Sequence, residues 1–293
     1  MITCTSLGGL GNNLFQLAQV YALHKLYNIE LIIPSFTARP VAKQVKQSAN
    51  LEFSSLFENK FKYTNTPITN LHEYSHVDCD RPLNDKMYHY VEVPLYDNMC
   101  YKGYFQSDKY FLGVDMSKEF ILKKNNIKTI ISKYPEFFSQ NKKQNISLHC
   151  RLAGDRVLER MKTFHPNVSV DFYIKAIESL KDFTPEKYNI LVFSDNTDHC
   201  KLLMENFPYP LTFIPRQTNV LDFTMMSLCE INIVGNSTFS WWAAYMNQHP
   251  NKKVLVTESE WLGPAYSILN LKDVFPESWD RFIINKNGNY TKK

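Results

Sequence analysis

The sequence of 293 residues contains no long apolar run, no paired-cysteine motif and no block of basic residues. A membrane-spanning helix needs about 20 predominantly apolar residues, and no segment approaches that length. The opening residues MITCTSLGGLGNN lack the charged start and apolar stretch of a signal peptide. No run of Lys or Arg exceeds a pair, which argues against a nucleic-acid partner. The net charge of +4 instead suits a small anionic ligand.

The six cysteines are widely scattered and form no C-x-x-C pair. Several fall within predicted strands or helices, so we expect buried free thiols and a reducing, cytoplasmic compartment. His199 and Cys200 lie on a predicted helix without other soft ligands nearby, which argues against zinc. Two carboxylates at Asp78 and Asp80 have the D-x-D spacing of some divalent-metal sites. Alone they make a poor magnesium site, and we predict no metal.

Several nucleotide and hydrolase motifs are incomplete. The segment GGLGNN follows a strand and opens a helix, as a dinucleotide fingerprint does, but Leu14 stands where the third glycine belongs. A Walker A lysine and a G-x-S-x-G elbow are also missing. The glycine loop by itself therefore identifies no nucleotide.

The first part of the chain reads as strand, glycine turn, helix and strand. Residues 12–27 are apolar at helical spacing, with Asn12 as the expected N-cap. Residues 113–145 read as helical and charged, and they end in the polar segment SQNKKQN. We place a domain boundary there, between residues 1–140 and 141–293.

The second part alternates apolar strand segments with helical ones. The five strand segments are ISLHC, YNILVF, LTFI, INIV and KKVLV. Such alternation predicts a largely parallel sheet with right-handed crossovers. The fold class is therefore α/β.

Ligands of open parallel sheets bind beyond the carboxyl ends of the strands. Polar side chains cluster at three consecutive predicted strand ends: His149, Arg151 and Asp155; Ser194, Asp195 and Asn196; Gly235, Asn236, Ser237 and Thr238. This grouping predicts a binding site at that edge.

The segment from Gly235 to Ser240 also leads into a helix, whose N-terminus favours a phosphate. The alternative is a simple helix cap, for which one Ser, Thr or Asn suffices. Trp241 and Trp242 follow, and we predict a core role for them rather than stacking on a sugar.

Arg151 can donate two parallel hydrogen bonds to a diphosphate through its planar guanidinium. The alternative is a structural salt bridge with Asp155.

Taken together, five ordered segments resemble the alpha-1,2-fucosyltransferase family, whose members use GDP-fucose. Residues 8–18, GGLGNNLFQLA, are similar to its G-G-L-G-N-Q-M-F-Q-Y-A, and residues 103–111, GYFQSDKYF, to its G-Y-F-Q-S-E-K-Y-F. Residues 149–155 resemble its H-x-R-R-G-D, and VFSDN its F-S-D-D. Residues 226–247, MSLCEINIVGNSTFSWWAAYMN, resemble the longest segment.

The resemblance implies an inverting, metal-independent glycosyltransferase with two Rossmann-like lobes of GT-B type. The lobe of residues 1–140 would bind a glycan acceptor and that of residues 141–293 the nucleotide sugar. Catalytic roles fall on Arg151, Asp155 as general base, and Asn12 near the transferred sugar. Donor-binding roles fall on Gly9, Gly11, His149, Ser194, Asp195, Asn236, Ser237, Thr238, Phe239 and Ser240. No cofactor is implied beyond the donor substrate, and the enzyme would work in the cytoplasm or peripherally at a membrane where glycans are assembled.

The sequence departs from the family pattern in the loop after His149. Leu152 replaces the second arginine, one residue is inserted, and Arg156 is a candidate for the missing charge. Asn13 replaces the glutamine of G-N-Q. Three alternatives therefore stay open: transfer of another nucleotide sugar, a catalytically silent GDP- or sugar-binding protein, and a metal-dependent transferase that uses Asp78 and Asp80.

Overall fold

The computed structural model describes residues 1–34, 49–59, 61–64, 68, 70–76, 88–139 and 143–293. Contacts divide the chain into two compact units. The first comprises Met1–Lys123 and Ile268–Glu277, and the second Lys124–Ser267 and Ser278–Lys293. The sequence pattern places the boundary later, after residue 140, and does not predict the return of a C-terminal segment to the first unit. Within the described ranges, no helix has the length and apolar character needed to cross a bilayer.

The first unit is built on short parallel strands. Its described helices and strands are α1 (Leu10–Tyr27), α2 (Ala49–Leu56), α3 (Met116–Glu119), β1 (Ile2–Cys4), β2 (Ile33–Pro34), β3 (Tyr63–Thr64), β4 (His72–Ser75) and β5 (Met99–Lys102). The strand order β1-β5-β4 is parallel throughout, and β2 pairs with β3 in parallel. A parallel bridge between Ile2 and Leu31 extends the other side of β1.

Helix α1 begins two residues earlier than predicted. Its N-cap is Gly9, with φ −85° and ψ −173°, so the prediction of Asn12 as the cap is wrong. The backbone N–H of Asn13 donates to the Gly9 carbonyl at 3.0 Å, which is the first bond of the helix. Asn12 therefore lies inside the first turn.

The second unit contains the larger sheet. Its described helices are α4 (Lys124–Lys133), α5 (Pro135–Phe138), α6 (Glu159–Lys162), α7 (Val170–Glu178), α8 (Thr197–Leu203), α9 (Asn219–Ser227) and α10 (Thr238–Met246). Its strands are β6 (Gln144–Cys150), β7 (Tyr188–Ser194), β8 (Leu211–Phe213), β9 (Ile231–Val234), β10 (Lys253–Thr257), β11 (Asp280–Ile284) and β12 (Tyr290–Lys292). The five strands predicted for this region, and their alternation with helices, are confirmed.

The seven strands lie in the order β12-β11-β10-β9-β6-β7-β8, and all pairs are parallel except β11 with β12. Without β12, the spatial order is that of a doubly wound Rossmann sheet, numbered 3-2-1-4-5-6 from β8. The direction of winding reverses between the neighbouring strands β6 and β9.

The helical region predicted for residues 113–145 is interrupted. It forms α3, α4 and α5, and Pro135 stands at the first position of α5. Proline has no backbone N–H and restricts the residue before it, so α4 ends there and a new helix begins.

The core of the second unit explains the paired tryptophans. Trp241 and Trp242 are both 0 % exposed, and the Trp241 ring packs 5.1 Å from that of Trp279. The predicted core role is confirmed. Across both units the five described cysteines are free and buried, as predicted, while Cys79 lies outside the described residues.

Candidate active site

The carboxyl ends of β6 and β9 form the point where the Rossmann winding reverses. Open parallel sheets bind ligands in the crevice that this reversal creates. Arg151 follows β6 directly, Gly235 follows β9, and Asp195 follows the adjacent strand β7. The polar residues expected at three strand ends therefore share one edge of the sheet.

The loop after β6 is bonded to Asp195. Arg151 Nη1 donates to Asp195 Oδ2 at 2.5 Å, while the backbone N–H groups of Leu152 and Ala153 donate to Oδ1 at 2.7 and 2.9 Å. Arg151 thus forms an ion pair with a residue from the next strand, which the sequence pattern does not indicate. The side chains of Asp155 and Arg156 lie outside the described residues, and their roles stay predictions.

Leu152 occupies the position of the family's second arginine. Its side chain is 3 % exposed and belongs to the hydrophobic core between the sheet and α7. The backbone here therefore directs this side chain inward, where a guanidinium would lose its hydration. The second arginine of the family pattern has no counterpart at this position.

The turn between β9 and α10 requires glycine at its first residue. A Cβ on Gly235 would lie 2.7 Å from the His149 carbonyl oxygen and 2.9 Å from the Tyr173 hydroxyl. The Tyr173 hydroxyl itself donates to that same carbonyl at 3.0 Å. Gly235 thus lets the ends of β6 and β9 approach closely.

The residues after Gly235 have two structural roles. Asn236 stabilises the turn, and Ser237 and Ser240 belong to the N-terminal end of α10. The buried Asn236 amide donates to the carbonyls of Pro166 and Glu260, at 2.7 and 2.9 Å, and so joins two loops to the turn. Ser237 is the N-cap of α10, and its side chain makes no capping bond. The Ser240 hydroxyl donates back to the Ser237 carbonyl at 3.1 Å. The Asn236 and Ser240 side chains thus have partners within the protein, and Thr238 is the first residue of the helix.

Two predicted donor-binding side chains form the wall of the site. The His149 ring is 6 % exposed and lies 5.8 Å from the Phe239 ring, centroid to centroid. Phe239 packs in turn on Phe223 of α9. These ring contacts connect the carboxyl end of β6 to α9 and to the first turn of α10.

Ser194 supports the turn into α8. Its hydroxyl accepts the Asn196 backbone N–H at 3.1 Å, and the Asn196 side chain caps α8 through the His199 N–H at 3.2 Å. The hydroxyl thus has a structural partner at the end of β7.

Two further polar residues follow β8 in the chain and are not assigned to the site by the sequence pattern: Arg216 in the loop after the strand, and Asp222 in the first turn of α9. Arg216 Nη1 donates to the Asp195 backbone carbonyl at 3.4 Å. Burial raises the pKa of the Asp222 carboxyl to about 6, although Gln217, Arg216 and Lys133 act in the opposite direction. The sequence carries a signal for Arg216, because PRQ directly follows a predicted strand.

The buried side-chain amides of Asn13 and Gln16 form hydrogen bonds to the backbone of the glycine loop in the first unit. The Asn13 side chain donates to the carbonyls of Gly8 and Gly9, at 3.1 and 3.0 Å. Gln16 accepts the Leu7 N–H at 3.0 Å and donates to the Leu7 carbonyl at 2.9 Å. The asparagine that replaces the family's glutamine therefore has a structural role in this loop.

Asn12 follows that loop and contacts GYFQS, a second segment that resembles the family pattern. Its Oδ1 accepts a hydrogen bond from Gln106 Nε2 at 2.9 Å, across 94 residues of sequence. Gly9 is the exposed cap and Gly11 is buried in the first turn of α1. The structure therefore brings the GGLGNN and GYFQS segments together around Asn12.

The parts of the chain that the structure describes contain no group of three or more His, Cys, Asp or Glu arranged to hold an ion. Asp78 and Asp80 lie outside the described residues.

Residues 1–279 match glycosyl transferase family 11, and the chain belongs to this family. One curated relative, the O-antigen biosynthesis glycosyltransferase WbnK of Escherichia coli, is 26 % identical over 300 residues, covering 89 % of this chain and 94 % of its own. An alpha-1,2-colitosyltransferase of Escherichia coli is 25 % identical over 289 residues, covering 94 % and 96 %.

The fold also resembles a solved structure. The fucosyltransferase NodZ from Bradyrhizobium matches with a TM-score of 0.52 at 15 % identity, over 83 % of this chain and 91 % of that chain. The predicted recognition, enzyme class and fold class are thereby confirmed: the protein is a glycosyltransferase of family 11 with a mostly parallel sheet in each unit.

Proposed function

We propose that the protein transfers L-fucose from GDP-fucose to a hydroxyl of a glycan acceptor, in an α-1,2 linkage and with inversion at the anomeric carbon. One observation carries this proposal. The Arg151 guanidinium and the N-terminus of α10, which has no side-chain cap, follow the two strands between which the Rossmann winding reverses. Both favour a diphosphate at that point.

The reaction is a single displacement. The acceptor oxygen forms a bond to the anomeric carbon while the bond to the diphosphate oxygen breaks, and the acceptor proton passes to a base. Negative charge grows on the departing GDP, so preorganised donors directed at it lower the barrier. We assign this role to Arg151 and to the backbone N–H groups at the start of α10, the base to Asp155 and contact with the sugar to Asn12.

No metal is required in this scheme, because cationic and dipolar groups of the protein take over the neutralisation of the leaving group. Undiminished turnover in excess EDTA is the expected result. Loss of turnover that Mg²⁺ or Mn²⁺ restores would instead favour the transferase that uses Asp78 and Asp80.

The choice of donor and linkage is supported by the relatives. NodZ has been solved after soaking with GDP-fucose, with a TM-score of 0.52 to this chain. A relative that covers nearly the whole chain is an alpha-1,2-colitosyltransferase, which supports the α-1,2 linkage and makes colitose a second candidate sugar. The buried free thiols support a cytoplasmic enzyme, working free or at a membrane where glycans are assembled.

A donor array tests the proposal. GDP-fucose, GDP-colitose, GDP-mannose and UDP-galactose are offered with a panel of glycan acceptors, and released nucleotide and product mass are measured. We expect transfer from GDP-fucose. Transfer from another donor alone would show that the scaffold serves a different sugar, and GDP binding without any turnover would show a silent binding protein.

A further inference from the structure

Asp195 makes three hydrogen bonds to consecutive residues of the loop after β6. One carboxylate oxygen accepts Arg151 Nη1, and the other accepts the backbone N–H groups of Leu152 and Ala153. These contacts cross from β7 to its neighbour β6, where Ser194 pairs with Cys150. A single side chain thus holds both the backbone of the loop and the orientation of the guanidinium.

The Arg151 side chain is more exposed to solvent than the Asp195 side chain. The Arg151 side chain is 39 % exposed, whereas that of Asp195 is 16 % exposed. Arg216 also donates to the Asp195 backbone carbonyl at 3.4 Å. The carboxylate therefore lies behind the guanidinium, with both oxygens bonded within the protein.

We propose that Asp195 is a positioning residue, which acts on the donor through Arg151 and makes no contact with the nucleoside. This inference rests on the proposed function, since it presumes that Arg151 binds the donor diphosphate. It revises the donor-binding role that the family resemblance implies for Asp195, which would place this residue by the nucleoside. An arginine held before the donor arrives loses less conformational freedom on binding, so its hydrogen bonds contribute more to affinity.

Two substitutions separate the parts of this role. Asp195→Asn retains one oxygen for the Leu152 and Ala153 amides but loses the charge opposite the guanidinium, whereas Asp195→Ala loses both. The matched control is Asp280→Asn, at the opposite end of the sheet. The Asp280 side chain is 19 % exposed and pairs with Lys292 at 2.7 Å.

The affinities for fluorescent GDP and, by competition, for guanosine are measured for each variant. We expect Asp195→Asn to weaken GDP binding about tenfold while guanosine binding stays within about twofold. Asp280→Asn should change neither. A parallel loss of guanosine affinity would show that Asp195 contacts the nucleoside, and would overturn the inference.

A double-mutant cycle with Arg151→Ala provides the second test. In that background Asp195→Asn should cause no further loss of GDP affinity, because its effect passes through the missing guanidinium. A further tenfold loss would contradict the inference. Failure of the wild-type protein to bind GDP at all would instead contradict the proposed function.

Hydrogen exchange tests the same inference on the wild-type protein, so this measurement does not depend on whether a variant folds. The Leu152 and Ala153 amides should already be protected without GDP, and GDP should change their exchange little. Fast exchange that slows only when GDP is present would show that the donor, not Asp195, organises the loop.

Discussion

Arg151→Ala removes a guanidinium that follows β6 at the reversal point of the sheet. Loss of one preorganised donor to a developing charge costs about 3–4 kcal/mol in the transition state, or two to three orders of magnitude in rate. The substitution also leaves the Asp195 carboxylate, which is only 16 % exposed, without its charged partner. We therefore expect a modest loss of stability, about 1–2 kcal/mol, alongside the large loss of turnover.

The assay compares kcat/KM with GDP-fucose, GDP affinity and melting temperature. Arg151→Lys should recover little of the rate, because an ammonium cannot reproduce the planar fork. Arg281→Ala is the matched control: it lies near the start of β11, 3.7 Å from Glu258, and should leave turnover unchanged. If folded Arg151→Ala retains more than about a tenth of wild-type turnover, a contribution below about 1.4 kcal/mol, the placement of the diphosphate is wrong.

Three further predictions concern stability, measured by thermal unfolding. Burial raises the pKa of Asp108 from 3.8 to about 6, so its stabilising contribution is present below about pH 4 and is lost as pH rises through about 6. Asp108→Asn should therefore raise the melting temperature at pH 7.5 and not at pH 4; an equal gain at both would contradict this. Asn236→Ala should destabilise by about 2–3 kcal/mol, because two buried carbonyls lose their donor; an unchanged melting temperature would count against those bonds. Gly235→Ala should destabilise by at least about 2 kcal/mol, since the new Cβ meets a backbone oxygen at 2.7 Å; wild-type stability would show that the strand ends can separate at little cost.

The alternation of the second unit could be predicted because its central strands β6, β7, β9 and β10 are mostly buried. The segment INIV, for example, is buried at all four positions of β9, and it is followed by a glycine and a helix. Apart from Asn232 this segment is apolar throughout, as is typical of a buried parallel strand, and it differs from the spacing of a helix.

The hairpin of β11 and β12 was missed although its turn has a sequence signal. The segment RFIINKNGNY places Asn287 and Gly288 between two strand-like runs, and Gly288 has a φ of 78°. An Asn-Gly pair is a strong indicator of a tight hairpin turn. β12 has only 3 residues, so the second strand of the hairpin has little pattern of its own in the sequence.

The partners of the site residues could not be predicted. Arg151 pairs with Asp195, which is 44 residues away and on the next strand of the sheet. The Asn236 amide bonds to the carbonyl of Pro166, which is 70 residues away. Such contacts depend on which strands become neighbours and on how the loops pack, and neither periodicity nor motif spacing contains that information.

The central claim is that GDP-fucose is the donor and that configuration inverts. The most direct measurement is NMR spectroscopy of the product formed from ¹³C-labelled GDP-β-L-fucose and a glycan acceptor. The account predicts an α-configured fucosyl group on a 2-hydroxyl of the acceptor. A β-configured product, or GDP-fucose left intact by a folded protein that binds GDP, would contradict it.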